Sequence, residues 1–146
     1  MTELEQMIVE VRQRFEAPPT AVFALLHDVE RMAGLGPEHE RAQWVSPTLF
    51  TGWNRAGERA WETPCHVTVD EPPTAFAWTV GTPGKQSSTW SYELEPDGDG
   101  GTVVTSIYDW SGVDEKWKPE GVWPIIPESA LKATLGILER TVRART

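Results

Sequence analysis

The sequence predicts an α+β domain: a curved antiparallel sheet of about seven strands wrapped around one long C-terminal helix, with two short helices after the first strand. Three observations predict it. A β-branched, partly alternating stretch at 7–16 runs directly into a helical pattern. From about 41 to 110 the chain is a series of short apolar segments separated by Gly, Pro and Asp clusters. Residues 128–144 then return to a helical period.

The elements follow in order. Pro18-Pro19 end the first strand, and proline suits a helix's first turn because the N–H it lacks would be unpaired there. Val22, Leu25, Leu26 and Val29 then fall at i, i+3, i+4 and i+7, one apolar helical face. Gly34 and Gly36-Pro37 stop a short second helix. Strands are expected at 41–46, 58–63, 65–71, 74–81, 88–95 and 102–110. The clearest is the fifth of these, where Trp90, Tyr92 and Leu94 alternate with polar residues. Asp97-Gly-Asp-Gly-Gly101 turns it into the last strand. Residues 111–127 are irregular, with Pro119, Pro124 and Pro127 among Trp117 and Trp123. In the final helix Leu131, Leu135, Leu138 and Val142 form the apolar stripe, and Glu139 and Arg143 are an i, i+4 pair. Gly136 weakens that helix by about 1 kcal/mol relative to Ala.

Composition narrows the function classes. The 146 residues have the length of one domain, 1–146, with no repeat and no linker. A formal net charge of −9 argues against nucleic acid, which calls for basic patches, and against docking on an anionic membrane. One cysteine, Cys65, allows neither an internal disulfide nor a cysteine-rich zinc site. The acidic start, Met1-Thr2-Glu3, is unlike a signal peptide, and no run approaches the ~18 apolar residues of a membrane span, so a cytoplasmic protein is expected. Tryptophan is the outlier, with eight against two tyrosines and four phenylalanines. So many large rings in a small domain call for a wall to line.

The order and spacing of several fragments resemble the polyketide cyclase/dehydrase and lipid-transport superfamily, the START-like or helix-grip group. They are Phe15-Glu-Ala-Pro-Pro-Thr-Ala-Val-Phe-Ala-Leu-Leu-His-Asp28, Gly52-Trp-Asn-Arg-Ala-Gly57, Trp61-Glu-Thr-Pro-Cys-His-Val67, Pro73-Thr-Ala-Phe-Ala-Trp78, Trp90-Ser-Tyr-Glu-Leu94 and Gly101-Thr-Val-Val-Thr105. The resemblance covers nearly the whole chain and implies a helix-grip fold. It also implies a deep cavity between the concave sheet face and the long helix. Strand parity then assigns residues to that face. Trp90, Tyr92 and Leu94 point inward, with Phe76, Trp78 and Val80 beside them. Thr102, Val104, Ser106, Tyr108 and Trp110 follow on the last strand, the opposite parity (Val103, Thr105, Ile107, Asp109) being the alternative. Trp61, Cys65 and Val67 share one parity unless Pro64 breaks it.

Few motifs carry chemistry. His27, His39 and His66 are far apart and share no metal-ligand spacing, and Glu38-His39-Glu40 sits in a Gly-Pro-led loop, so no metal is expected. The Asp97–Thr102 stretch lacks the ending of a phosphate loop, and no Gly-x-Ser-x-Gly elbow occurs. Cys65 and His66 are strand neighbours pointing to opposite faces, which makes the thiol a buried inert group rather than a nucleophile. What remains is an aromatic wall with hydroxyls. Tyr92 and Tyr108 are the candidate catalytic donors; Trp61, Trp78, Trp90, Ser106, Trp110 and Asn54 are the candidate ligand-binding residues. Asp28, Asp109 or His27 handle protons if they reach the pocket; otherwise Asp28 and His27 sit at a helix end in solvent. Asn54 and Arg55 form either a cavity rim or a plain hairpin turn. The segment with Trp117 and Trp123 is either a lid or a connector packed on the last helix.

Two functions fit this reading. One is a cyclase, aromatase or dehydratase acting on a polyketide-like or other apolar substrate by acid–base catalysis without a cofactor. The other is a carrier or sensor of a small hydrophobic or aromatic molecule. Either works as a monomer or homodimer, with no nucleic acid and no membrane insertion.

Overall fold

The first strand, β1 (Ile8–Phe15), ends where Pro18 and Pro19 open α1 (Pro19–His27), with proline in the helix's first turn. The computed structural model describes residues 8–33, 39–56, 58–81, 88–110 and 128–145. Val22, Phe23, Leu25 and Leu26 of α1 are all buried, which accounts for a helix without a side-chain cap. Asp28 then accepts the Arg31 backbone N–H at 3.3 Å and starts the single turn of α2 (Val29–Met32). Six further strands follow: β2 (His39–Ser46), β3 (Leu49–Ala56), β4 (Arg59–Glu71), β5 (Ala75–Val80), β6 (Ser88–Pro96) and β7 (Thr102–Asp109). The chain finishes in α3 (Glu128–Arg145).

The strands form one seven-stranded sheet in the order β1-β7-β6-β5-β4-β3-β2, antiparallel throughout. β1 crosses to pair with β7, so the chain's first and last strands lie side by side. α1 packs on β5 and β6, α2 on β2, and α3 on β1 and α1. The stripe of Leu131, Leu135, Leu138 and Val142 is buried in a core shared with Phe15, Leu25, Leu26 and Val104. Its Glu139 and Arg143 pair at 3.3 Å, as the i, i+4 spacing predicts.

Polar joints fix the sheet to the helices at one end. The Thr102 hydroxyl donates to the Ala17 carbonyl at 2.7 Å, and the Glu16 N–H donates to the Glu139 carboxylate at 3.3 Å. The Arg14 guanidinium meets both Asp97 and Glu16. Asp97 also accepts the N–H groups of Asp99 at 2.8 Å and Gly101 at 3.0 Å, closing the predicted hairpin. These bonds and Arg14 hold the Asp97 carboxyl below the usual carboxylate range. A Cβ at Gly101 would lie 2.7 Å from the Phe15 carbonyl oxygen, so this close approach of two segments of the chain requires glycine.

Two expectations in the 47–71 region are corrected. Phe50–Ala56 is not a turn but most of β3, and the turn lies earlier, at Pro47-Thr48. Gly52 suggests a turn in the sequence, yet it is a buried strand residue opposite Ala42 and Thr63. The expected strands 58–63 and 65–71 are one strand, β4. Pro64 leaves it unbroken because pairing with β5 begins one residue later, at Cys65 opposite Val80. The Pro64 carbonyl accepts the Gly81 N–H at 2.8 Å, so its missing N–H faces the same side, beyond the ladder. The count of seven strands survives because one was overlooked and one divided.

Candidate functional site

Trp78, Trp90, Tyr92, Ser106, Tyr108 and Trp110 are all buried, and the sheet register brings the first five together. Trp78 stands opposite Trp90, Trp90 opposite Tyr108, and Tyr92 opposite Ser106. Residues directly opposite in an antiparallel pair share a face, so these ladders run across one surface of the sheet. The Trp90 and Tyr108 ring centroids are 4.6 Å apart, and the Trp78 and Trp90 rings lie nearly parallel at 6.3 Å. Burial alternates along β7, with Thr102, Val104, Ser106 and Tyr108 at 2% exposure or less and Val103, Ile107 and Asp109 part-exposed. That selects the first of the two parities open for the last strand. Thr105 is also buried, on the other face. Val80 is only half-buried, because β5 ends there.

The wall continues past the predicted residues. Trp78 meets Phe50 at 5.5 Å and Phe76 at 5.4 Å, and Phe50 meets Trp44 edge-on at 5.3 Å. His27, the last residue of α1, stacks on Trp44 at 5.1 Å and lies 5.1 Å from Phe76. A run of aromatic rings therefore crosses the sheet from Tyr108 to His27. The sequence reading missed Phe50 because it took its strand for a turn. The usable signal was Trp44 and Phe50 flanking Pro47-Thr48 at hairpin spacing.

At the far end of the run, the ring Nε2 of His27 lies 3.2 Å from the Asp70 carboxylate. Asp70 gets there through a bulge. Val67 pairs with Trp78 and Val69 with Ala77, but a register shift between them aligns Asp70 with Phe76. Strict alternation from Cys65 would have placed Asp70 on the opposite face. Asp28 serves as the α2 cap and Asp109 stays part-exposed, so neither joins the buried wall.

Asn54 lies on β3 rather than in a loop and pairs with Trp61, which is on a strand as expected; their side chains lie outside the described residues. Trp117 and Trp123 also lie outside them, as do Gly34 and Gly36-Pro37. Cys65 is buried between Phe50 and Val80 in the register, and burial pushes its thiol up to about 12. At neutral pH such a thiol carries almost no thiolate, which suits the inert role. Among the described residues no group of three or more His, Cys, Asp or Glu side chains gathers as a metal site. No described helix is long and apolar enough to cross a membrane.

Comparison with known proteins places this architecture. No curated protein sequence matches the chain significantly. A START superfamily protein from Mycobacterium smegmatis superposes with a TM-score of 0.76 at 13% identity, covering 95% of this chain and 99% of that one. The Zhui aromatase/cyclase from Streptomyces sp. R1128 gives 0.74 at 13% identity, covering 94% of each chain. A Polyketide_cyc-like protein from Corynebacterium glutamicum gives 0.54 at 27% identity, covering 94% of this chain and 81% of that one. The first two likenesses, at such low identity, concern the fold alone. The family profile described as polyketide cyclase / dehydrase and lipid transport matches residues 6–143, nearly the whole length, and the chain belongs to that family.

Proposed function

We propose that this protein encloses a small apolar or aromatic molecule against the wall formed by Trp78, Trp90, Tyr92, Ser106, Tyr108 and Trp110, beneath α3. The observation that carries the reading is the continuity of that wall: Trp78, Trp90, Tyr92 and Tyr108 lie on one buried face with contacting rings 4.6–6.3 Å apart. Flat aromatic surfaces with a few hydroxyls suit a planar, oxygenated ligand, which stacks on the rings and hydrogen-bonds at its edge.

As an enzyme the protein is a cyclase, aromatase or dehydratase of the cofactor-free kind. A poly-β-ketone already carries acidic C–H bonds, so holding it folded and stabilising an enolate oxygen provide much of the catalysis. Tyr92 and Tyr108 are the hydroxyl donors assigned to that oxygen in this reading, with Ser106 opposite Tyr92. Asn54 and Trp61, paired on β3 and β4, are assigned to the ligand as well. The carrier reading has its own support: the described buried wall consists of indole, phenol, alkyl and hydroxyl groups, which bind without needing to move a proton.

Tyr92→Phe and Tyr108→Phe separate the two. Each removes one hydroxyl and little apolar area, so in the enzyme turnover falls on the order of 10²-fold while affinity holds. In the carrier the same changes shift affinity alone, by about 0.5–1.5 kcal/mol. Affinity is read by tryptophan fluorescence quenching and product by chromatography, using short poly-β-ketones and their cyclised aromatic products. Unchanged turnover in both variants removes the tyrosines from the chemistry.

A further inference from the structure

Beyond this reading, we infer that the groove where α1 ends over the β2–β3 turn is a second binding site, selective for a small organic ammonium ion with an apolar or aromatic body. The groove holds about 340 Å³ and is lined by His27, Trp44, Val45, Ser46, Pro47 and Asp70. That volume lies within the range of small-ligand sites. It takes in His27 and Trp44 at the far end of the aromatic run, and none of the six wall residues assigned to the ligand above lines it.

Charge complementarity selects the occupant. Asp70 contributes a carboxylate that is 36% exposed, and neither Lys nor Arg lines the groove. Among the described residues only the His27 ring reaches that carboxylate, through one oxygen. A carboxylate accepts about four hydrogen bonds, so Asp70 retains room for an N–H donor. Glu30 adds negative charge at the same edge, where its carboxylate accepts the Trp44 backbone N–H at 3.0 Å. His27 stacks on one face of the half-buried Trp44 ring, and an ammonium within ~6 Å of the other face is attracted by the indole quadrupole. Val45, 63% exposed, and Pro47 leave apolar surface for the ligand's body. The chain's net charge of −9 further favours a cation over an anion.

The test is a titration of the ¹⁵N-labelled protein at pH 8 with phenethylamine, phenethyl alcohol and phenylacetate, which share a ring and differ in charge. Phenethylamine shifts the Trp44 and His27 signals and binds at least about threefold tighter than the alcohol, the expected effect of one partly exposed charge pair. Phenylacetate binds most weakly. Asp70→Asn removes the preference for the amine and leaves the alcohol unaffected, and Asp70→Glu restores part of it. Equal affinity for all three, a preference that survives Asp70→Asn, or tightest binding of phenylacetate overturns the inference. So do shifts confined to Trp78 and Trp90, or shifts of the groove signals on raising protein concentration alone, which would assign the groove to a second copy of the chain. Binding of naphthol at the wall, followed in the same samples, is indifferent to Asp70→Asn. In the parent chain, absence of naphthol binding at the wall alongside a clear amine preference at the groove would sink the function proposed above and not this one.

Discussion

The two ends of the aromatic run are built from the same materials and exposed to different surroundings. At the Tyr108 end the rings are walled in by β5, β6 and β7, and Trp78, Trp90, Tyr92 and Tyr108 are each at most 9% exposed. At the His27 end they meet the edge strand β2, where Trp44 is half-buried and a His–Asp pair reaches water. An indole is worth most where water is fully excluded from it. A carboxylate is tolerable only where water or a partner remains. The sheet therefore sorts its side chains by depth, hydroxyls inside and charges at the rim.

The largest test of that contrast compares Trp90→Ala with Trp44→Ala. Removing Trp90 leaves a hole in a closed surface, and stability falls by about 3–5 kcal/mol. Removing Trp44 takes away a ring that is already partly wet, and the loss is about 1–2 kcal/mol. Urea unfolding monitored by circular dichroism measures both. Equal losses would erase the distinction between the two ends.

Cys65, lying between them, reports on dryness through its titration. Its folded pKa is raised to about 12, above that of an unfolded thiol. The folded protein thus keeps a proton that the unfolded chain releases, so the contribution to stability is complete below about pH 8.5 and declines as pH rises. Between pH 9 and 11 the expected loss is on the order of 1 kcal/mol per unit. Cys65→Ala removes that component while leaving the alkaline effects of tyrosine and lysine. The same slope in both proteins would show that water reaches the middle of the wall.

How much of this was legible in the sequence follows the same division. In β6 burial alternates along the strand, so Trp90 and Tyr92 follow from parity. On β7, where Thr105 is buried as well, two parities stay open in the sequence, and only the burial of Ser106 and Tyr108 selects one. In β3 and β4 the local signals point elsewhere. Gly52 imitates a turn and Pro64 imitates a strand end, and only the pairing partners show why each is tolerated. The bulge that turns Asp70 toward His27 leaves no mark in composition. The His27–Asp70 contact joins residues 43 positions apart, a tertiary event that spacing does not announce. The resemblance to the helix-grip group reached the fold because order and spacing persist where individual side chains do not.

The smallest expected effect concerns a second aspartate, Asp97, which meets Arg14. Asp97 sits at the β6–β7 turn with Arg14 and two backbone N–H donors, whereas Asp70 has His27 alone among the described residues. The Asp97 carboxyl is held below the usual range, chiefly by the Asp99 N–H and by Arg14. As pH falls through the ordinary carboxylate range, the unfolded chain takes up this proton before the folded one. Asp97 thus adds stability that is present above that range and lost on acidification through its folded pKa. Asp97→Asn keeps an oxygen for the two N–H groups and removes the charge toward Arg14. The variant is therefore slightly less stable at pH 7, and its stability falls less steeply between about pH 5 and 2 than that of the parent chain. Thermal unfolding across that interval measures the difference in slope. Parallel pH profiles would mean that Asp97 holds the turn by geometry alone, and that charge at this end of the sheet is as incidental as a solvated surface pair.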